Sequence, residues 1–503
     1  MTKGRVSVIE SGTPAADAFD SLYRLVGLGP LSISSYLHLQ GYEVKFFAMF
    51  ASTRLDDQFI SSSQYVLVST MTHTSKLAYA LAQRFRKSNP EAVFILGGVH
   101  GGVLMQDALQ YFDFVVINEG EATVLELLRF LDSNPKAEPT GIRGLAFKNR
   151  KGEMVHTGDR PFLQDIDFPL NPSLVYEYPT TLRDLLRCGR LRYPTNLIHF
   201  SRGCPYACNF CLGMRQLGKL YRTRSPRTVI EDLNRFRQMT GSQDAIFHDN
   251  EFTIDREATK ELLREIIRAH PGVRYFTVFA RIESTRDEEL WHLFEEAGVT
   301  LVVFGVESLN QSSLDGFNKR SDLDEIHSAM ARIERFKTLV VTSFIIGDVD
   351  DPLKELALIR QFKKDYSRKI SRVVVASLME YPHQEKLRGQ KQLIPDERFI
   401  HHDWNYYSGD YLYFYPRTVR PSVLQAELLK TIRTNNAIPS GSMWNFYRRA
   451  SDAFIRYSHR PIGKRIERYI DFLRDIERDK YNGDGRLIFD ALSPDDKPRE
   501  LNL

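Results

Sequence analysis

The sequence predicts an α/β protein. It places a Rossmann-like doubly wound parallel sheet over residues 1–132, a partial (β/α)6 TIM-type barrel over 196–383 and a mainly helical C-terminal extension over 384–503. Three observations predict this. Short continuous apolar runs alternate with helical patterns from residue 5 onward, as strands covered on both faces do. The alternation lapses after about residue 132 and resumes at Asn196 for six strand–helix units, too few for a closed eightfold barrel. Three of the four cysteines lie within eight residues, directly after the first strand of the second series.

In the first stretch the expected strands are Val6–Ile9, Val44–Phe47, Tyr65–Ser69, Val93–Leu96 and Phe114–Ile117. Helix patterns at Leu31–Gln40, Lys76–Lys87 and Ala122–Leu131 lie between or after them. Ligands bind such sheets at the carboxyl ends of the strands. Residues 133–195 read as a linker carrying a small hairpin, Gly144–Asn149 with Glu153–Thr157, followed by chain marked by Pro161, Pro169, Pro172 and Pro179. The barrel strands expected next are Asn196–Phe200, Ala245–His248, Tyr275–Phe279, Leu301–Phe304, Leu339–Ile346 and Arg372–Leu378. Helices are expected at Val229–Thr240, Ala258–His270 and Ser321–Phe336, the last with Ser321 as N-cap and Asp322, Asp324 and Glu325 in its first turn.

Composition bounds the function. A net charge of +4 over 503 residues gives no reason to expect nucleic acid as a partner. No apolar run reaches the roughly 18–20 residues that span a bilayer. The opening MTKGRVSVIESG lacks the apolar core of a signal peptide, and four cysteines are too few for a disulfide scaffold, so a reducing cytoplasm is the expected location.

The chemistry concentrates at Ser201-Arg202-Gly203-Cys204-Pro205-Tyr206-Ala207-Cys208-Asn209-Phe210-Cys211. Cys204, Cys208 and Cys211 have C-x3-C-x2-C spacing. Three thiolates on one tight loop can each ligate one iron of a cubane, leaving the fourth iron open to an exogenous group. The bland alternative is a zinc site or unrelated thiols. Zinc normally takes four ligands at paired spacing, and Cys188 lies in a different segment, where an ordinary thiol is expected.

With Phe210 before the last cysteine, this motif resembles the signature of the radical S-adenosylmethionine superfamily. The resemblance implies a [4Fe-4S] cluster whose open iron chelates S-adenosylmethionine and cleaves it to a 5′-deoxyadenosyl radical. Asp249-Asn250-Glu251-Phe252 follows the second barrel strand, Arg281 ends the third, and Gly305-Val306-Glu307-Ser308 ends the fourth. By the same resemblance Asn250, Glu251, Arg281 and Glu307 bind the cofactor; each alone serves equally as a strand-end cap or ion pair.

The first stretch resembles the cobalamin (B12)-binding domain that precedes the barrel in one subgroup, and the likeness runs from about residue 5 to 380. It implies cofactor contacts at Thr70 and Met71, at Gly97, Gly98, Val99 and His100, and at Glu119, Gly120 and Glu121, all at strand ends. The chain departs from the histidine-ligating type, because it contains no Asp-x-His; His38, His73 and His100 all lack that context. Cobalamin is therefore expected without a lower histidine ligand, and a vestigial supporting domain is the alternative. A nicotinamide fingerprint at Gly27-Leu28-Gly29 is set aside: Ser32 fills its third glycine position, and the segment lies far beyond the first strand.

The C-terminal extension carries Trp404, Tyr406, Tyr407, Tyr411, Tyr413, Phe414 and Tyr415, expected mainly as core with some lining a cavity. Met443–Lys480 has a helical pattern whose basic residues admit a peripheral membrane contact, although interspersed acids favour a solvated face. Where the subgroup has a Pro-Gly-Thr type turn, this chain has Glu380-Tyr381-Pro382-His383-Gln384, so no particular substrate transfers.

The expected function is thus a cobalamin-dependent radical methyltransferase acting on an unactivated carbon of a small-molecule or lipid-like biosynthetic intermediate. A reduced flavodoxin- or ferredoxin-type protein would be its electron donor. The alternatives are a radical cyclase, rearrangement or hydroxyl-introducing enzyme of the same subgroup and, in another class, a non-catalytic cobalamin or iron–sulfur sensor.

Overall fold

The computed structural model describes residues 3–12, 26–49, 55–178, 196–347, 349–380, 392–435, 464–481 and 486–487. Cys188, the 381–384 turn and the 443–463 part of the expected C-terminal helix lie outside the described residues. The chain divides into two compact units. Of the described residues, the first takes those up to Pro205 and from Leu212 to Phe276; the second takes Tyr206–Cys211 and those from Thr277 onward.

The N-terminal sheet, in the first unit, has seven strands: β1 (Arg5–Glu10), β2 (Glu43–Ala48), β3 (Tyr65–Ser69), β4 (Val93–Gly97), β5 (Phe114–Val116), β6 (Leu145–Lys148) and β7 (Met154–His156). They run in the order β2-β1-β3-β4-β5-β6-β7. The first five pair in parallel, as their continuous apolar sequences require. Helices α1 (Leu28–Leu39), α2 (Ser75–Ser88), α3 (Val99–Val103) and α4 (Glu121–Ser133) accompany them. Val68, Phe94, Leu96 and Val115 of the strands pack with Ala78, Leu81 and Phe85 of α2 in one apolar core.

The hairpin is not confined to a linker. It extends the sheet, β6 pairing antiparallel with β5 and β7 with β6, so the sheet is mixed rather than wholly parallel. Val115 meets Ala146, and Val116 meets Leu145. These apolar β6 residues are buried, whereas Met154 and His156 of the edge strand β7 are exposed.

All six expected barrel strands form: β8 (Asn196–Ile198), β11 (Asp244–Phe247), β12 (Tyr275–Ala280), β13 (Val299–Glu307), β14 (Leu339–Ile346) and β15 (Ile370–Ser377), in the order β15-β14-β13-β12-β11-β8. A separate two-residue pair, β9 (Ser201–Arg202) with β10 (Arg222–Thr223), flanks the cysteine loop. The accompanying helices α5 (Pro226–Thr240), α6 (Arg256–Ala269), α7 (Glu288–Ala297), α8 (Gln311–Gly316), α9 (Leu323–Ile333) and α10 (Pro352–Asp365) are each capped at the N-terminus. Ser225, Asp255, Asp287, Asn310, Asp322 and Asp351 accept from backbone N–H groups of the first turns. The cap of α9 is therefore Asp322 and not Ser321. Asp322 accepts from Glu325 N at 2.7 Å, whereas Ser321 Oγ donates to Glu283 at 3.0 Å.

In the second unit the aromatic run is core, as the sequence reading favoured. Tyr406, Tyr407, Tyr411, Tyr413, Phe414 and Tyr415 are buried; Trp404 is half-buried. Residues 464–476 are helical. Their Ile466, Tyr469, Ile470 and Leu473, at i, i+3, i+4 and i+7, pack against Tyr406, Tyr411 and Leu429. Tyr469 stacks on Tyr406 at 5.3 Å, and its hydroxyl donates to Leu412 O at 2.7 Å. The apolar face of residues 464–476 is thus covered by other residues of the same chain. Among the described residues no helix is long and apolar enough to cross a membrane.

Candidate functional site

The cysteine loop is approached through a buried carboxylate that the sequence reading passed over. Asp249, following β11, accepts from Phe200 N at 3.2 Å and Ser201 N at 2.5 Å, and from Ser201 Oγ. Burial pushes its carboxyl up to about 7 against the pull of these donors. Gly203 follows with φ +91°, where a Cβ would lie 2.0 Å from Leu220 O. Only glycine fits there. Cys204 N then donates to Gly218 O at 3.0 Å. Gly203→Ala is expected to displace the loop and to lower iron retained after anaerobic reconstitution several-fold, with the far-UV spectrum unchanged.

Within the second unit, residues 206–211 dock on the turn after α8. Asn209 N donates to Phe317 O at 2.9 Å and Asn209 Nδ2 to Gly316 O at 2.8 Å. Asn318 Nδ2 donates to Ala207 O at 2.8 Å, and the Phe210 ring meets Phe317 edge-on at 5.4 Å. The aromatic position of the motif therefore has a packing role. Cys211 N donates to Cys208 O at 3.1 Å, closing a turn.

Cys208 is buried, and Cys204 and Cys211 are half-buried. Burial pushes the Cys208 thiol up, opposed by the charges of Lys319 and Arg281. Lys319, another residue the sequence reading missed, donates to Glu307 Oε1 at 3.1 Å, and both are nearly fully buried. A lysine following Asn318 in a polar turn carries no sequence signal of burial. Glu307 itself sits in the left-handed region at φ +72°, at a register shift of β13 on β14. A non-glycine residue held there marks stored strain at a strand end.

Arg281 is already engaged. Its Nε and Nη2 grip Glu283 at 3.1 and 2.9 Å, Nη2 donates to Lys319 O at 2.7 Å, and the guanidinium lies over the Tyr206 ring at 4.1 Å. It clamps the cysteine loop to the 319–321 turn. Arg281→Ala is expected to loosen that loop, read as faster proteolysis near Tyr206 and reduced iron retention. Glu251 turns inward, accepting from Thr253 N at 2.8 Å and Thr253 Oγ1 at 2.6 Å. Asn250 is exposed beside Gly213. Among the described residues, no group of three or more His, Cys, Asp and Glu side chains is arranged to hold a single metal ion. Cubane thiolates bind different irons and so stand apart. Three cysteines on one glycine-hinged loop, with Cys208 near the charges of Lys319 and Arg281, fit a cluster of that kind.

In the N-terminal sheet the expected contacts divide. Gly97 has open space where a Cβ would stand, Met71 is exposed and Val99 is half-buried, so these strand ends face outward. Gly98, at φ +89°, packs so closely on Thr70 that a Cβ would lie 2.5 Å from its carbonyl oxygen. Thr70 is buried under Ser11 and Thr74.

His100, expected at the cofactor surface, is instead wholly buried, with Nε2 2.6 Å from Tyr79 Oη. Burial lowers its pKa to about 4. A histidine depressed from its usual 6.5 contributes stability above that pH and loses it as pH falls toward 4. The shift corresponds to about 3 kcal/mol, and His100→Leu is expected to flatten the denaturation midpoint over this window.

Glu119 and Glu121, expected to face the cofactor, are both held by arginines. Arg202 reaches Glu121 at 2.9 Å and Glu119 at 3.3 Å; Arg222 reaches Glu119 at 2.8 Å; Ser32 Oγ donates to Glu121 at 2.6 Å. Burial raises the Glu121 carboxyl, but Arg202 and Ser32 overcome this and hold it low. Gly120 between them is buried, and a Cβ there would press on Ile33 at 2.8 Å. This strand end therefore braces the arm that leads into Cys204.

Family models match these two regions: the radical SAM superfamily over residues 198–361 and the B12-binding domain over residues 20–128. The chain thus combines a radical SAM domain with a preceding B12-binding domain, the pairing that matches cobalamin-dependent radical SAM enzymes. An anaerobic magnesium-protoporphyrin IX monomethyl ester cyclase of Rubrivivax gelatinosus is 26% identical over 286 residues, 56% of this chain and 50% of that protein. An uncharacterized methyltransferase of Pyrococcus horikoshii is 28% identical over 293 residues, 57% of this chain and 61% of that protein. The chain thus spans about half to three fifths of these relatives. The methyltransferase TsrM of Kitasatospora setae, solved with cobalamin and a [4Fe-4S] cluster, superimposes with a TM-score of 0.64 at 16% identity, covering 91% of this chain and 99% of TsrM. At that identity the likeness is one of fold.

Proposed function

We propose that the chain is a cobalamin-dependent radical S-adenosylmethionine methyltransferase acting on an unactivated carbon of a small biosynthetic intermediate. The observation that carries the reading is the C-x3-C-x2-C loop, hinged at Gly203 and flanked by buried Lys319 and Arg281, in a chain that also has a B12-binding domain. Cys204, Cys208 and Cys211 would hold the cluster, and the outward strand ends at Met71, Gly97 and Val99 would receive the corrin. Bound there, the cluster would supply the electron that cleaves S-adenosylmethionine to methionine and a 5′-deoxyadenosyl radical, while the corrin would carry the incoming methyl group. Lys319 and Glu307 would face the polar methionine end of that ligand, and Asp249 would hold the loop in register. A reduced flavodoxin- or ferredoxin-type protein would deliver the electron, in the cytoplasm.

One observation favours a second reading, in which the corrin is a redox partner in a radical cyclisation: the similarity to the Rubrivivax cyclase. Anaerobic turnover separates the two. Methyl transfer yields S-adenosylhomocysteine in step with 5′-deoxyadenosine; 5′-deoxyadenosine alone supports cyclisation, rearrangement or hydroxyl introduction. If neither nucleoside forms, both readings fail and the sensor alternative stands.

A further inference from the structure

His199 has both ring nitrogens buried without a hydrogen-bond partner, and it is 4% exposed. Buried polar atoms are nearly always satisfied, so a partner is missing from the protein itself. The ring's direction follows from the strand register. Asn196 of β8 accepts from Thr240 at the end of α5, so Asn196, Ile198 and Phe200 face the helices, and Leu197 and His199 face inward. Phe200 confirms this by packing on Phe252, whose carbonyl accepts from Thr259 of α6.

β11 pairs in parallel with β8, Ile246 opposite Leu197 and Phe247 opposite Ile198. Its continuation puts His248 opposite His199 on the same inner face, and His248 N donates to Ile198 O at 2.8 Å. His248 is exposed. A reachable imidazole thus stands beside a buried, unsatisfied one, at the carboxyl ends of two barrel strands and just ahead of the cysteine loop.

The charges nearby decide what this pair takes. Arg224 and Arg202 lie close enough to oppose protonation of His199, which burial disfavours already. Both guanidiniums are paired, Arg224 with Asp232 at 2.6 Å and Arg202 with Glu119 and Glu121. Each of these two guanidiniums is thus already neutralised by a carboxylate, which leaves a carboxylate or phosphate ligand little attraction to either. A neutral imidazole offers one donor and one acceptor, the complement of a hydroxyl or primary amide.

We propose that His199 and His248 form a binding site on the inner barrel face for an uncharged hydroxyl or amide group of the substrate. This deepens the methyltransferase reading and rests on it only in calling the ligand a substrate. The test uses the full-length, oxygen-protected protein labelled with [15N]histidine, with benzyl alcohol and toluene as probes that differ by one hydroxyl. Benzyl alcohol is expected to shift the ring nitrogens of His199 and His248, toluene is not, and H199F is expected to weaken the alcohol about tenfold, while H199N keeps part of it.

The proposal is overturned if neither resonance moves, leaving ordered water as the partner of His199. Equal effects of the two probes, or full alcohol binding in H199F, would also overturn it. Unchanged His100 and His401 signals report that H199F is folded; if they shift, the wild-type comparison of the two probes and H199N decide. Visible absorbance of the same samples reports the cluster separately, so the methyltransferase reading can fail without this one.

Discussion

Cys208→Ala is expected to abolish stable cluster assembly and, with it, reductive cleavage of S-adenosylmethionine. Cys208 is the buried member of the three and the one beside Lys319 and Arg281. Losing its thiolate leaves one iron without a protein ligand and leaves two cationic groups facing an emptied position. The fold should survive, because the loop is held by Asn209, Asn318 and Phe210 rather than by sulfur. The check is iron content and 5′-deoxyadenosine yield against an unchanged far-UV spectrum. A variant that keeps its brown absorbance and its cleavage would remove Cys208 from the ligand set.

Glu121→Ala is expected to be the most destabilising single change outside the apolar cores. It leaves the Arg202 guanidinium, 8% exposed at the side chain, with only the longer contact to Glu119 and one to Ser32. Stranding a buried charge in this way costs about 3–5 kcal/mol. Glu121→Gln keeps the shape and a hydrogen bond and should cost less. Because Arg202 lies two residues before Cys204, the alanine variant should also lose iron more readily than the glutamine variant. Chemical denaturation midpoints and iron retention, measured on both, test this. Equal stability of the wild type and Glu121→Ala would mean that the ion cluster is not braced as the distances imply.

The parts of the fold that could be read from the chain are those set by local pattern. Val66–Val68, Phe94–Leu96 and Val302–Phe304 are unbroken apolar runs, and each forms the strand it predicts. The destination of the 145–156 hairpin could not be read, because its partner β5 is chosen by packing of Leu145 and Ala146 and not by local sequence. The α9 cap went to Asp322 because Ser321, its equal by type, was already bonded to Glu283 and Arg281.

The site divides in the same way. Cysteine spacing is a local signal and put three residues on one loop. Nothing local marks Glu119 and Glu121 as ion-pair members, because their arginine partners lie about eighty residues or more further on. His199 and Lys319 gave no signal at all, since the sequence does not show that a lone histidine or lysine will be buried on an inner face.

The account depends most on the three thiols of the 204–211 loop holding iron. Anaerobic reconstitution followed by iron, sulfide and zinc analysis tests it directly. The predicted result is the four irons and four sulfides of a [4Fe-4S] cluster per chain, lost together in Cys208→Ala. Zinc in place of iron, or no metal retained by a folded, oxygen-protected sample, would contradict it.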